Sequence, residues 1–243
     1  MKKTYKIAEI IISVDSLHDN VHKLCAEYEF SGQPEINISI SQKDIDIERK
    51  KAHRETSTSK AEQKAPSDGY LETLAVYRKL SEEMLRFDTL LFHGSAIAVD
   101  GKAYVFTAAS GTGKSTHTRL WRKLFGNRAV MINDDKPLIR ISGGKATVYG
   151  TPWNGKHRLG TNTSAPLEAI CLLERAEENR IEKAEKRALF PMILQQTYRP
   201  SLPGDMLKMI SLADGLASSV NLYKLGCNMD ISAAKTAYDG MNS

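Results

Sequence analysis

The run FTAASGTGKSTHTRLW, Phe106 to Trp121, decides the fold. Gly111, Gly113, Lys114, Ser115 and Thr116 stand where the phosphate-loop pattern GxxxxGK[ST] requires them, although Ala108 occupies its first glycine position. In such a loop, backbone N–H groups wrap phosphate oxygens at the positive end of the following helix. The lysine reaches the outer phosphates and the hydroxyl ligates magnesium. Ser110, Gly111, Thr112, Gly113, Lys114, Ser115 and Thr116 are therefore the expected nucleotide cradle. Ala108 is compatible with it provided that its φ stays negative.

The flanks agree. The preceding TLLFHGSAIAV and KAYVFTA read as two strands joined at Asp100-Gly101, a dipeptide suited to the type I′ turn of a hairpin. STHTRLWRKLF then reads as a helix closed by Gly126. The next apolar run, RAVMINDD, ends in Asp134-Asp135. Acids at a strand end beside a phosphate loop hold magnesium. A second, adjacent acid permits one to accept the proton of an attacking hydroxyl. Ser115, Asp134 and Asp135 are thus the expected magnesium ligands, and Lys114 and one of the two aspartates are catalytic candidates. Only one helix and one strand separate the loop from these acids, and a hairpin precedes it, unlike an ordinary doubly wound NTPase. ISGGKA (141–146) imitates a transporter signature but reads as a hairpin turn. Between the strands KATVYG and EAICLLER lies GTPWNGKHRLGTNTSAP, in which glycines flank Lys156, His157 and Arg158. Lys156 and Arg158 are expected to stabilise charge on a transferring phosphoryl group.

HGSAIAVDGKAYVFTAASGTGKS…VMINDDKPLIRI resembles the catalytic core of HPr kinase/phosphorylase and related small kinases, with phosphoenolpyruvate carboxykinase as a more distant relative. The resemblance is good over His93 to Ile141 and looser to the C-terminus. It implies an α/β fold, a P-loop kinase core with a mixed β-sheet, that binds ATP and Mg2+. By it, Gly111, Gly113, Lys114 and Ser115 hold the phosphates and metal, Asp134 is the proton acceptor, Asp135 lies near the metal and His93 lies close to the site. ATP over GTP is implied by the resemblance alone. The bifunctional enzymes carry a further signature, ExRGxG, after the aspartates; VYGTPWNGKHRLGTN does not match it, so neither phosphorolysis nor HPr as substrate is carried over.

The remainder bounds the reading. The 243 residues, 41% hydrophobic, suit one domain plus a small module. The net charge of +5 is dispersed; it tolerates a phosphate-rich ligand but does not point to nucleic acid, and no such partner is expected. Cys25, Cys171 and Cys227 form no CxxC pair, so a disulfide framework or zinc site is not expected and a cytoplasmic setting is. No apolar run approaches a membrane span, and Glu9 interrupts the signal-like start. Ala8, Ile10, Ile12 and Val14 alternate as one half-buried strand, followed by a short helix near SLHDNVHKLCAEY and a strand EINISIS. QKDIDIERKKAHRE fits a strand or a charged helix equally, and 55–67 reads as a polar linker. Residues 1–67 are thus a small β-rich N-terminal module and linker, and 68–243 the catalytic domain. That domain opens on a helix burying Tyr70, Leu74, Tyr77, Leu80, Met84 and Phe87. Two helices, a strand NLYKLGCNMD and a final helix after Asp230 complete the chain.

The expected function is phosphoryl transfer from ATP to a hydroxyl acceptor, a serine of a protein or peptide or a small alcohol, by a chain that could form a homo-oligomer. The alternative is a nucleotide-binding regulatory module with weak or no ATPase activity.

Overall fold

The computed structural model describes residues 1–57, 65–109 and 111–243. Its backbone contacts divide the chain into two units, Met1–Glu83 and Met84–Ser243. The division lies sixteen residues beyond the expected one at 67/68, because the helix from Asp68 groups with the N-terminal unit. Most of the expected linker, 58–64, lies outside the described residues, as does Ser110.

The first unit contains β1 (Lys2–Ile7), β2 (Ile10–Asp15), α1 (Asn20–Leu24), β3 (Ile36–Ser39), α2 (Gln42–Ser57) and α3 (Asp68–Met84), whose last residue crosses the division. The single opening strand is corrected to a hairpin. Ala8 and Glu9 both take positive φ, 48° and 62°, and form its turn without a glycine or asparagine. β2 also pairs with β3, in parallel, so the sheet order is β1-β2-β3. The undecided segment from Gln42 is a helix, and the reason is local. Ser41 Oγ and N both donate to Asp44 Oδ2, at 2.7 and 3.0 Å, so the carboxylate reaches back over the first turn as in one half of a capping box. The unit is therefore not β-rich as expected but carries more helix than strand. α3 forms as its spacing predicts, but Tyr70 is exposed. The buried apolar positions are Leu71, Ala75, Val76, Tyr77, Leu80 and Met84, a face shifted by one residue at its start.

The second unit contains β4 (Thr89–Leu91), β5 (Ser95–Val99), β6 (Lys102–Thr107), α4 (Lys114–Phe125), β7 (Ala129–Asn133), β8 (Leu138–Ser142) and β9 (Lys145–Tyr149). It continues with β10 (Ser164–Arg175), β11 (Arg180–Lys183), α5 (Lys186–Gln196), α6 (Pro203–Ser219), β12 (Asn221–Cys227) and α7 (Ser232–Met241). Nine strands form one mixed sheet, in the order β4-β8-β9-β10-β6-β5-β7, with β12 on β10 and β11 on β12. The class is mixed α/β. Asp100-Gly101 and Gly143-Gly144 make the predicted hairpin turns, all four residues at positive φ. The expected strand TLLFHGSAIAV is two: β4 pairs β8, whereas β5 pairs β6 and β7, and Phe92-His93-Gly94 steps between them. β11 was not expected, and β10 begins earlier than EAICLLER, at Ser164.

Period-two alternation splits the core across the two faces of the sheet. Val105 and Ile170 pack with Leu189, Ile193 and Leu216 from α5 and α6. Tyr104, Phe106 and Cys171 pack with Trp121, Ala234 and Ala237 from α4 and α7. Strand direction then places the site. β6, β10 and β12 run parallel, and β7, antiparallel to β5, runs parallel to them as well. The carboxyl ends of four strands therefore share one edge, where ligands of α/β sheets bind. No described helix is long and apolar enough to cross a membrane.

Candidate active site

The edge holds the glycine loop. β6 ends at Thr107 and α4 begins at Lys114, so the expected strand, loop and helix follow one another. Gly111 and Gly113 sit at φ 78° and 124°, which a side chain would strain. Ala108 is buried and is not among the non-glycine residues of positive φ, so alanine is unstrained there. Lys114 Nζ donates to Ala108 O at 3.3 Å, and Thr112 N to Ala109 O at 3.2 Å. Arg175, at the end of β10, donates to Gly111 O at 2.6 Å. Ser115 and Thr116 lie in the first turn of α4, with Ser115 exposed.

β7 delivers the carboxylates, and Asn133 orients them. Asn133 is fully buried at the end of an apolar strand. Its Oδ1 accepts from the N–H groups of Asp135 and Lys136, at 2.9 and 2.6 Å, folding the chain back on itself. Its Nδ2 donates to Thr151 Oγ1 at 3.0 Å and to Trp153 O at 3.3 Å. One side chain thus fixes both the acidic turn and the start of the loop 150–163. Sequence reading missed this residue; the only polar residue in AVMIN was its signal.

The step between β4 and β5 is stitched to the same turn. Gly94 N donates to Asp135 O at 3.0 Å, Ser95 Oγ to Asp134 O at 2.9 Å, and Thr107 Oγ1 to His93 O at 3.1 Å. A Cβ on Gly94 would stand 3.0 Å from Phe106 O, so a side chain there would crowd the strand. His93 is consequently not a core histidine. Its Nε2 lies 3.3 Å from Asp135 Oδ1, and both side chains are partly open to solvent.

The two aspartates differ electrostatically. Burial pulls the Asp135 carboxyl upward, but the His93 hydrogen bond and the charges of Lys136, His93 and Lys114 outweigh it and hold the group below the usual carboxylate range. Asp134 is more buried, 6% exposed, and has a backbone rather than a cationic partner: Gly155 N donates to its Oδ1 at 2.6 Å. Burial lowers the Lys114 amine, and the negative charge of Asp135 partly restores it. Asp135, Lys114 and His93 thus form one electrostatic cluster at the loop.

The loop 150–163 is anchored at its ends to β7 and to itself. Gly150 N donates to Thr163 O, Thr161 N to Ile132 O and Thr161 Oγ1 to Met131 O, at 2.9, 3.2 and 2.7 Å. Gly155 then brings its middle to Asp134. Lys156 and Arg158 follow and are exposed, with Arg158 at φ 48°. The structure thus gathers Lys114, Asp134, Asp135 and His93, and places Lys156 and Arg158 on a loop anchored beside them.

Among the described residues, no three His, Cys, Asp or Glu side chains are grouped to hold a metal ion. The donor set instead suits magnesium, which takes one or two carboxylates together with phosphate oxygens and water. A carboxylate held ionised at Asp135 and the exposed hydroxyl of Ser115 are hard oxygen ligands of that kind.

No family model matches the sequence, and no curated protein matches it. Among solved structures, the Hpr(Ser) kinase/phosphatase from Coxiella burnetii is similar over 63% of this chain and 99% of that chain, at 9% identity and a TM-score of 0.36. So slight a likeness says nothing about chemistry, which rests on the site itself.

Proposed function

We propose that this chain is an ATP-dependent phosphotransferase whose acceptor is a hydroxyl group, built on a P-loop kinase core. One observation carries the reading: Lys114 of the glycine loop meets an acidic pair at a single sheet edge, and the two carboxylates have different partners. Asp135, ringed by His93, Lys136 and Lys114, stays a charged ligand. Asp134, whose Oδ1 accepts from Gly155 N, is assigned as the acceptor of the hydroxyl proton. Magnesium, held by Ser115 and the carboxylates, would neutralise charge on the β- and γ-phosphates. Gly111 to Thr116 cradle those phosphates, and Lys114 offsets their charge. The acceptor hydroxyl loses its proton to Asp134 as the phosphoryl group passes to its oxygen. Lys156 and Arg158 lie on the loop anchored at Asp134 and supply positive charge from the acceptor side. His93 holds Asp135 in place.

The acceptor is a serine of a protein or peptide, or a small alcohol. The test follows γ-labelled phosphate from Mg·ATP into a pool of such acceptors. Transfer by the wild type that vanishes in Asp134→Asn supports the reading. Tight ATP binding with neither transfer nor hydrolysis would replace it with a regulatory nucleotide-binding module.

A further inference from the structure

Beside the glycine loop lies a cleft of about 480 Å3. Gly111, Thr112 and Gly113 form one of its walls, so it is continuous with the phosphate cradle. None of His93, Asp134 or Asp135 lines it. Its opposite wall comes from the carboxyl ends of β10 and β12, at Leu173, Arg175 and Ala176, and at Cys227 to Met229. Those ends are tied together, Ala176 N donating to Cys227 O at 3.1 Å and Asn228 Nδ2 to Glu177 O at 2.9 Å. The cleft falls within the range of small-molecule sites, about 300–1,000 Å3, and has their mixture of apolar surface and few polar groups.

His117 also lines this cleft, and its hydrogen bonding is incomplete. The ring is 2% exposed. The Trp121 indole, a donor only, gives its N–H to His117 Nε2 at 3.0 Å, so Nε2 is the acceptor and the proton of the neutral ring sits on Nδ1. Nδ1–H is therefore a buried donor, and it has no hydrogen-bond partner among the described residues. Buried donors are rarely left so, and each such group calls for an explanation.

We infer that this cleft receives the nucleoside end of the nucleotide, and that His117 Nδ1–H donates to an acceptor on it. The inference rests on the phosphate-binding reading of the loop. Leu173, Ala176 and the exposed Met229 offer apolar and polarisable surface to a heteroaromatic base. Arg175, fixed to Gly111 O, presents a planar cation beside the same space and can stack on a base. The geometry also gives the nucleotide a direction: base in the cleft, phosphates across Gly111 to Thr116, terminal phosphoryl group toward Asp134 and Asp135.

The test compares Mg·ATP with magnesium tripolyphosphate, which lacks the nucleoside, by titration calorimetry. Wild type should bind ATP about tenfold or more tightly than tripolyphosphate. His117→Phe should lose most of that difference and leave tripolyphosphate unchanged. Because that variant also removes the acceptor of Trp121, a second one, Ala176→Trp, fills the cleft and leaves the His117–Trp121 pair intact. It should bring ATP to the tripolyphosphate level. Equal affinities in the wild type, or unchanged ATP binding in Ala176→Trp, would overturn the inference while leaving the phosphate site standing. Failure of the wild type to bind either probe, or tripolyphosphate binding indifferent to Lys114→Ala, would remove the phosphate site and this inference together.

Discussion

At the scale of single residues, the site turns on a distinction between two neighbours in sequence. Asp134 and Asp135 carry the same carboxyl group, yet one faces a backbone N–H and the other a histidine and two lysines. Removing each charge should have different consequences. Asp134→Asn should lower transfer about 100- to 10,000-fold and leave Mg·ATP affinity within a few-fold, since a base acts on the chemical step. Asp135→Asn should weaken the magnesium dependence of nucleotide binding itself. Steady-state kinetics beside a magnesium titration separates the two, and equal behaviour of both variants would dissolve the division of roles. The glycine loop, the acids and the candidate cations were legible because their chemistry is local: fixed spacing within a dozen residues. Asn133 was not, because its task is to satisfy four backbone and side-chain groups drawn from 135 to 153, which no short pattern announces.

At the scale of elements, α2 shows a cap deciding between two readings that periodicity left equal. Asp44 binds Ser41 and also receives Lys79 at 3.0 Å and Arg78 at 3.4 Å from α3. Burial raises its carboxyl, but these hydrogen bonds and the lysine charge hold it well below its ordinary range. Asp44→Ala should destabilise the first unit by about 1–2 kcal/mol, the worth of a good cap, seen as a lower thermal midpoint. An unchanged midpoint would mean that α2 does not depend on its cap. Turns of Asp-Gly and Gly-Gly were readable in advance, whereas the Ala8-Glu9 turn was not, since neither residue signals positive φ. The same limit joined β4 to β5: only tertiary pairing, with different partner strands, reveals the step at His93.

At the scale of the molecule, acidity offers a test of the buried imidazole. His117 in the folded chain titrates near 4, against about 6.5 when unfolded. Between these values the unfolded chain binds a proton that the folded chain refuses, so stability rises with pH across the window and is complete above it. Acidification from pH 7 to 5 should therefore lower the thermal midpoint of the wild type more steeply than that of His117→Phe, with on the order of 3 kcal/mol as the ceiling of the effect. Identical slopes would mean that the ring is not sealed from protons. The separate loss expected from Asp135 lies lower, as pH falls below the ordinary aspartate value of 3.8. The cleft beside His117 escaped sequence reading for a reason of scale: its walls, Gly111, Arg175 and Met229, meet only when three parallel strands end together.

The loop 150–163 has a consequence of another kind. Its ends are held by Gly150 N to Thr163 O and Thr161 N to Ile132 O, bonds of the main chain that are indifferent to what side chains lie between them. Its tip, 156–159, is thereby a cassette. On the proposed function, exchanges there that keep Lys156 and Arg158 would change what the chain accepts without disturbing the main-chain bonds that hold the loop beside β7, so that diversification of substrate and preservation of chemistry are separable along a single stretch of gene.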